Sequence, residues 1–243
     1  MLNFQDLPNE LVLKVLSYSE TKDLISCGQV SKRIRRISHD DTLWVTANIE
    51  NKIVKTELLE MVLGKGCMIL DLRYSTILGR LSSNTKSQLR VLKLSLSACD
   101  IHCEPDCDEN NGVLEELLSS CCSLQHLVME GVFLTPKMAV SICKNGKTLQ
   151  TLNLSSSYLE SLAYDNLDGS PTDRYLLEIF KCCQELKEVD LSYIDDNQGL
   201  TDENLEFLAK NISPNLEKLN LCRSLVKEDH IKILRGRCNK SKN

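Results

Sequence analysis

Apolar residues fall into two different rhythms along this chain. In the first fifty residues they recur at helical spacing. Leu11, Val12, Val15 and Leu16 follow Pro8, which suits a helix start, and Glu10, which favours the positive end of the helix dipole. Ser17-Tyr18-Ser19-Glu20 interrupts the pattern, and Thr21 can cap a second short helix carrying Leu24 and Ile25. A third helix is expected from Gln29 to Ser38, with Val30, Ile34 and Ile37 on one face. Leu43 and Trp44 supply a late apolar anchor. Three helices this short bury little surface alone, so the unit should need support from its neighbours or from a partner.

From residue 67 onward the rhythm changes to apolar-x-x-apolar-x-apolar. It occurs at Cys67–Leu72, Leu89–Leu94, Leu124–Met129, Leu149–Leu154, Leu186–Leu191 and Leu216–Leu221. In each unit the last two apolar residues are two apart and share one strand face, while the residues between them face the other way. Such units, recurring about every 22 to 37 residues, carry the strand signature of a leucine-rich repeat. Helical spacing fills the gaps: Val113 to Cys121, Met138 to Cys143, Tyr175 to Cys183 and Leu205 to Ile212, with helix-start signals at Thr135-Pro136 and Thr201-Asp202-Glu203. Residues 53–63, with Leu58, Leu59, Val62 and Leu63, read as a helix before the first strand.

Leu7-Pro8-Asn9-Glu10-Leu11, Val30-Ser31-Lys32-Arg33 and Leu43-Trp44 together resemble the F-box. The repeats resemble those that often accompany it. Cys121 and Cys183 each precede a repeat's first leucine by three, as in the cysteine-containing subclass of leucine-rich repeats, where the cysteine packs at a helix end. Gly146 and Ser213 hold that place in other units, and Cys122 and Cys182 are read with Cys121 and Cys183 as core or near-core residues. The chain departs from the F-box pattern at Ser19, where a leucine is usual, and at Ile34, where a tryptophan is usual.

The resemblance to F-box/leucine-rich-repeat proteins implies an α/β fold. A three-helix F-box at 1–46 and a linking helix at 47–66 would precede a curved solenoid of about six repeats at 67–243, with parallel strands concave and helices convex. It further implies a non-catalytic substrate receptor of a Skp–cullin–F-box ubiquitin ligase, acting in the cytoplasm, the nucleus or both. Leu7, Pro8, Leu11, Val15 and Leu16, helped by Leu24, Val30 and Trp44, would dock on the Skp adaptor and through it on cullin. A protein target would lie on the outward residues of the strands: Asp71, Arg73, Lys93, His126, Glu130, Asn153, Glu188, Asp190 and Lys218. The early part of that face is basic and the later part acidic, which can orient a bound segment. The alternative is a protein-binding scaffold whose degenerate F-box reaches no ligase.

Composition narrows the field further. A net charge of −5 argues against general nucleic-acid binding. No run approaches the roughly 18 apolar residues of a membrane span, and Met1–Asp6 does not read as a signal peptide. The 12 cysteines are therefore expected in a reducing compartment. Cys99, His102, Cys103 and Cys107 are four potential zinc ligands, but at none of the usual spacings, so no metal or other cofactor is expected. The four histidines form no catalytic motif, and there is no phosphate-cradling glycine loop. The segments 98–111 and 156–172 read as insertions between strand and helix, and Lys227 to Cys238 as a last helix.

Overall fold

A computed structural model describes residues 6–82, 84–95, 108–159, 174–193, 202–223 and 232. Three helices come first: α1 (Asn9–Leu16), α2 (Thr21–Val30) and α3 (Lys32–Ser38). The break between α2 and α3 falls at Ser31, not before Gln29. Ser31 is extended, and its hydroxyl accepts a hydrogen bond from the Ile34 N–H at 3.1 Å, capping α3. Thr21 is the first residue of α2 rather than its cap. Its hydroxyl instead accepts from the Asn48 N–H at 3.0 Å, across 27 residues of chain. A 3-10 turn, Asp41–Trp44, closes the helical unit.

The remainder is strand and helix in alternation. Strands β1 (Thr46–Asn48), β3 (Ile69–Arg73), β5 (Val91–Ser95), β6 (His126–Glu130), β8 (Thr151–Asn153), β10 (Glu188–Asp190) and β11 (Lys218–Asn220) form one parallel sheet, and its spatial order is the sequence order. Helices α4 (Thr56–Gly64), α5 (Asp108–Ser120), α6 (Pro136–Lys144), α7 (Arg174–Cys182) and α8 (Asp202–Asn211) lie in the crossovers, and α5 to α8 pack each on the next. Two short parallel pairs, β2 (Ile53–Lys55) with β4 (Thr76–Leu78) and β7 (Phe133–Leu134) with β9 (Tyr158–Leu159), run beside the main sheet. Residues 53–55 are therefore strand, and the helix expected from 53 begins at Thr56.

Register explains the order. Ala47, Leu70, Leu92, Leu127, Leu152, Val189 and Leu219 are aligned across the strands, and all but half-buried Leu219 are nearly inaccessible. Two residues on, Ile49, Leu72, Leu94, Met129, Leu154 and Leu191 are buried as well. Three residues before the central row stand Cys67, Leu89, Leu124, Leu149, Leu186 and Leu216, again buried. Trp44, Ala47 and Ile49 occupy the same three places in the unit that contains β1. The sheet thus starts one unit earlier than the leucines advertise, inside the segment where a linking helix is expected. Trp44 serves both parts: its indole N–H donates to the Ser38 carbonyl of α3 at 2.8 Å while its ring fills the first place of the first strand unit.

Five of the strands, β1, β3, β8, β10 and β11, end in the same turn. The side-chain oxygens of Asn48, Asp71, Asn153, Asp190 and Asn220, all in one row, accept from the N–H two residues on. Three residues beyond that row the backbone turns left-handed, at Asn51, Tyr74, Gly131, Ser156, Tyr193 and Arg223. Only β6, with Val128 in place of the Asx residue, uses glycine there. The others hold a side chain where it costs of the order of 1–2 kcal/mol, offset by the turn's hydrogen bonds.

Two of the buried cysteines directly follow a helix's last residue. Cys121 and Cys183 are inaccessible, and burial pushes their thiols up to about 11 and about 12. Cys122 and Cys182, expected near the core, are exposed: Cys122 lies past the end of α5, and Cys182 closes α7 on its solvent side. Gly146 is required sterically: an added Cβ would lie 2.5 Å from the Cys182 carbonyl oxygen.

Candidate functional site

Among the described residues, the outer side of α1 and the outward face of the sheet are both open to other molecules, and they are built differently. On α1, Val12 and Leu16 point into the core at 0% and 4% exposure. The opposite side carries Pro8, Leu11, Val15 and Tyr18, spaced at one helical face. Leu11 is 52% exposed, Val15 48% and Tyr18 78%, with the Lys14 ammonium 5.1 Å from the Tyr18 ring centre. Val30, at the end of α2, is 75% exposed. Large apolar side chains displayed in a row on a short helix mark an interaction surface more than a folding element. Covering each would contribute about 1 kcal/mol or more at ~25 cal/mol per Å².

The geometry of this face is held from beneath. Pro8 precedes α1 and its carbonyl accepts from the Leu11 and Val12 N–H groups, both at 3.1 Å. Arg33 of α3 donates to the Asn9 side-chain oxygen at 2.9 Å and to the Leu7 carbonyl. The basic run therefore fixes the start of α1. Ile34, in the place where the F-box pattern prefers tryptophan, packs partly buried against the core, and Ser19 is half-buried at the end of the α1 turn.

Among the eight residues expected to meet the adaptor, the structure exposes Pro8, Leu11, Val15 and Val30 and half-buries Leu7. Leu16, Leu24 and Trp44 are 4%, 3% and 1% exposed. These three shape the unit from inside and present no surface. Tyr18 is the residue that the sequence reading missed. It follows Leu11 by seven, two turns along the same face, but sits in a Ser-rich stretch that reads as a break.

The outward face of the sheet is polar and largely paired within itself. Asp71, expected to face a target, is 7% exposed. Arg73 lies over it, donating through Nε at 2.9 Å and Nη2 at 2.8 Å, with Glu50 3.2 Å from Nη2 and the Lys93 ammonium 3.7 Å from Asp71. Burial works against ionisation of Asp71. Hydrogen bonds from the Arg73 side chain and N–H, with the Arg73 and Lys93 charges, outweigh it and hold the carboxyl below its ordinary range. Asp71 thus positions Arg73 and Lys93, which are the groups that reach solvent. Farther along, Asn153 donates to Glu130 at 3.3 Å, Lys218 meets Glu188 at 2.6 Å and Asn220 donates to Asp190 at 2.9 Å. His126 shares a 2.9 Å hydrogen bond with Thr151. The separation into a basic and an acidic half is weaker than the residue types imply, because each half carries its own counter-charges.

A cleft of about 800 Å³ lies between α2 and the edge strand β1, lined by Glu20, Thr21, Ile25, Thr46, Asn48 and Ile53 among others. It holds no convergent catalytic groups. Among the described residues, no three His, Cys, Asp or Glu side chains gather as metal ligands. Cys99, His102, Cys103 and Cys107 lie outside those residues, as do most of the two insertions and, Lys232 excepted, the expected last helix. No described helix is long and apolar enough to cross a membrane.

Comparison with known families agrees with the geometry of the first surface. Residues 4–50 match the family described as F-box-like. That range takes in the three helices, the Trp44 turn and β1, four residues past the boundary at 46 that the resemblance implies. The chain therefore carries an F-box-like domain at residues 4–50.

Proposed function

We propose that this chain is a substrate receptor of a Skp–cullin–F-box ubiquitin ligase. In this reading the exposed row Pro8, Leu11, Val15 and Tyr18, with Val30, docks on the Skp adaptor and through it joins cullin. The strand–helix units form a leucine-rich-repeat solenoid of the cysteine-containing subclass, whose outward face holds a target protein. Arg73, Lys93, His126, Glu130, Asn153, Glu188 and Lys218 are its contact residues, in the cytoplasm, the nucleus or both. The protein itself performs no bond chemistry. It supplies proximity, holding a target lysine near a charged ubiquitin carrier so that transfer becomes effectively intramolecular, and the modified target goes to the proteasome.

The observation that carries this reading is the exposed apolar row on α1 within a domain that matches the F-box-like family. The strictly sequential parallel sheet supports the solenoid, since stacking each unit on the last is how a repeat protein buries its leucines. A second reading draws on Ser19 and Ile34: a repeat scaffold whose F-box has lost its grip on the adaptor. Affinity purification from cells separates the two. The receptor reading expects adaptor and cullin with the wild-type chain and neither with Leu11→Asp. Targets recovered with the wild-type chain, without adaptor or cullin, would favour the scaffold.

A further inference from the structure

Tyr193 and Arg223 occupy the same place in neighbouring units, each three residues past the aligned pair Asp190 and Asn220. They stand at the rim where β10 and β11 leave the outward face of the sheet. Both are left-handed, at φ 59° and 58°. That conformation crowds any side chain beyond glycine, and the β6 unit meets it with Gly131. A tyrosine and an arginine that bear the same crowding direct attention to the groups they present. The direction of those groups is fixed. The Asp190 and Asn220 side-chain oxygens accept from the N–H groups of Ser192 and Cys222 at 2.9 Å and 3.1 Å, and the Tyr193 N–H donates to the Cys222 carbonyl at 3.0 Å. The two turns are thereby tied together, and the Arg223 guanidinium lies over the Tyr193 ring, 5.3 Å from its centre.

Arg223 differs from the cations of the outward face in having no acid. Arg73 and Lys93 are matched by Asp71, and Lys218 by Glu188. Among the described residues, no carboxylate lies within ion-pair distance of Arg223, whose guanidinium meets only the Tyr193 ring. Asp190, on the adjoining strand, is taken by Ser192 and Asn220. Arg223 is exposed and Tyr193 half-exposed. Stacking occupies a flat face of the guanidinium and leaves its edge of N–H donors open to solvent.

We propose that the Tyr193–Arg223 pair anchors a carboxylate, the Asp or Glu side chain of a protein segment lying along the outward face. The proposal rests on the receptor reading only in calling that segment the target. A guanidinium edge matches the two oxygens of a carboxylate with parallel N–H···O bonds. Already stacked on the ring, the side chain has little freedom left to lose when the ligand arrives. Charge selects the ligand. One unpaired guanidinium balances one carboxylate. A phosphoryl group, with a charge of about −2, would find no second unpaired cation on β10 or β11, where Lys218 is held by Glu188 and Asp190 adds repulsion.

The test sets the full chain against an array of short peptides of otherwise random sequence with Asp, Glu, Asn, Gln or phosphoserine at the central position. The expected result is enrichment of the Asp and Glu sets over their amides and over phosphoserine. In Arg223→Gln that preference disappears, and the Kd of the best acidic peptide, read by fluorescence anisotropy, rises about tenfold or more. Arg223→Lys keeps the charge without the fork and recovers only part of the binding. Tyr193→Leu, which removes the ring beneath the guanidinium, also weakens it. Equal capture of acids and amides, a preference for phosphoserine, an acid preference that persists in Arg223→Gln, or unchanged binding by Tyr193→Leu would each overturn the proposal. Adaptor titration on the same proteins keeps the two readings apart. A wild-type chain that ignores the adaptor but retains the Arg223-dependent acid preference removes the ligase and leaves the site.

Discussion

The helical unit and the sheet unit treat their large apolar side chains in opposite ways. In the sheet the aligned leucines are inaccessible, and the residues between them are polar and tied to one another. On α1, Val12 and Leu16 are buried while Leu11 and Val15, with Tyr18 just past its end, stand in solvent. From β1 to β10 the inner side of the sheet is already covered. The helical unit displays an uncovered apolar surface, where a partner would gain most from hydrophobic contact. A target on the sheet face would instead be held by polar groups that exchange internal partners for external ones, which favours selectivity over strength.

The contrast is sharpest for single leucines. Leu127→Ala removes a fully buried row residue and is expected to cost about 2–5 kcal/mol of stability. Leu11→Ala should cost no more than about 0.5 kcal/mol, because the side chain is half in water already. Urea melts of both variants check the pair; equal costs would erase the distinction. Gly146→Val comes next, at about 1–3 kcal/mol, since the new side chain meets the Cys182 backbone and not a yielding side chain. Within the helical unit, Ser31→Ala loses the α3 cap and about 1 kcal/mol, and thermal melts would show it. The smallest effect is electrostatic. Asp71 has a lowered carboxyl, so its pairing with Arg73 and Lys93 contributes fully above the ordinary carboxylate range, near pH ~4. That contribution is lost as pH falls through the lower folded value. Asp71→Asn should therefore reduce stability at neutral pH, and the gap from wild type should close below about pH 4 in acid titrations followed by circular dichroism.

These particulars also show why some parts were legible in sequence and others not. Six strand units announce themselves because leucine recurs at a fixed three-and-two spacing, a pattern that survives variable loops. The first unit hides because Trp44, Ala47 and Ile49 fill the same places with unlike residues, and because Thr46-Ala47-Asn48 has little strand preference of its own. Its pairing with β3 makes it a strand. The small pairs β2–β4 and β7–β9 are hidden for the same reason. The left-handed turns at Tyr74, Tyr193 and Arg223 carry no glycine to betray them. At the candidate surface, residue type alone could not separate Leu11 from Leu16, or Arg73 from Asp71. Which side of a helix faces the core, and which charge lies beneath its partner, depend on neighbours distant in sequence.

The outer face of α1 is proposed as the docking surface for the Skp adaptor. Titrating purified adaptor into the purified full chain by calorimetry tests it most directly, with Leu11→Asp alongside and circular dichroism showing that the variant is folded. Saturable binding by the wild-type chain is expected, with a loss of at least about 100-fold in Leu11→Asp, as for an apolar anchor replaced by an unpaired charge. Equal binding by the two proteins, or no binding by the wild-type chain, would contradict it.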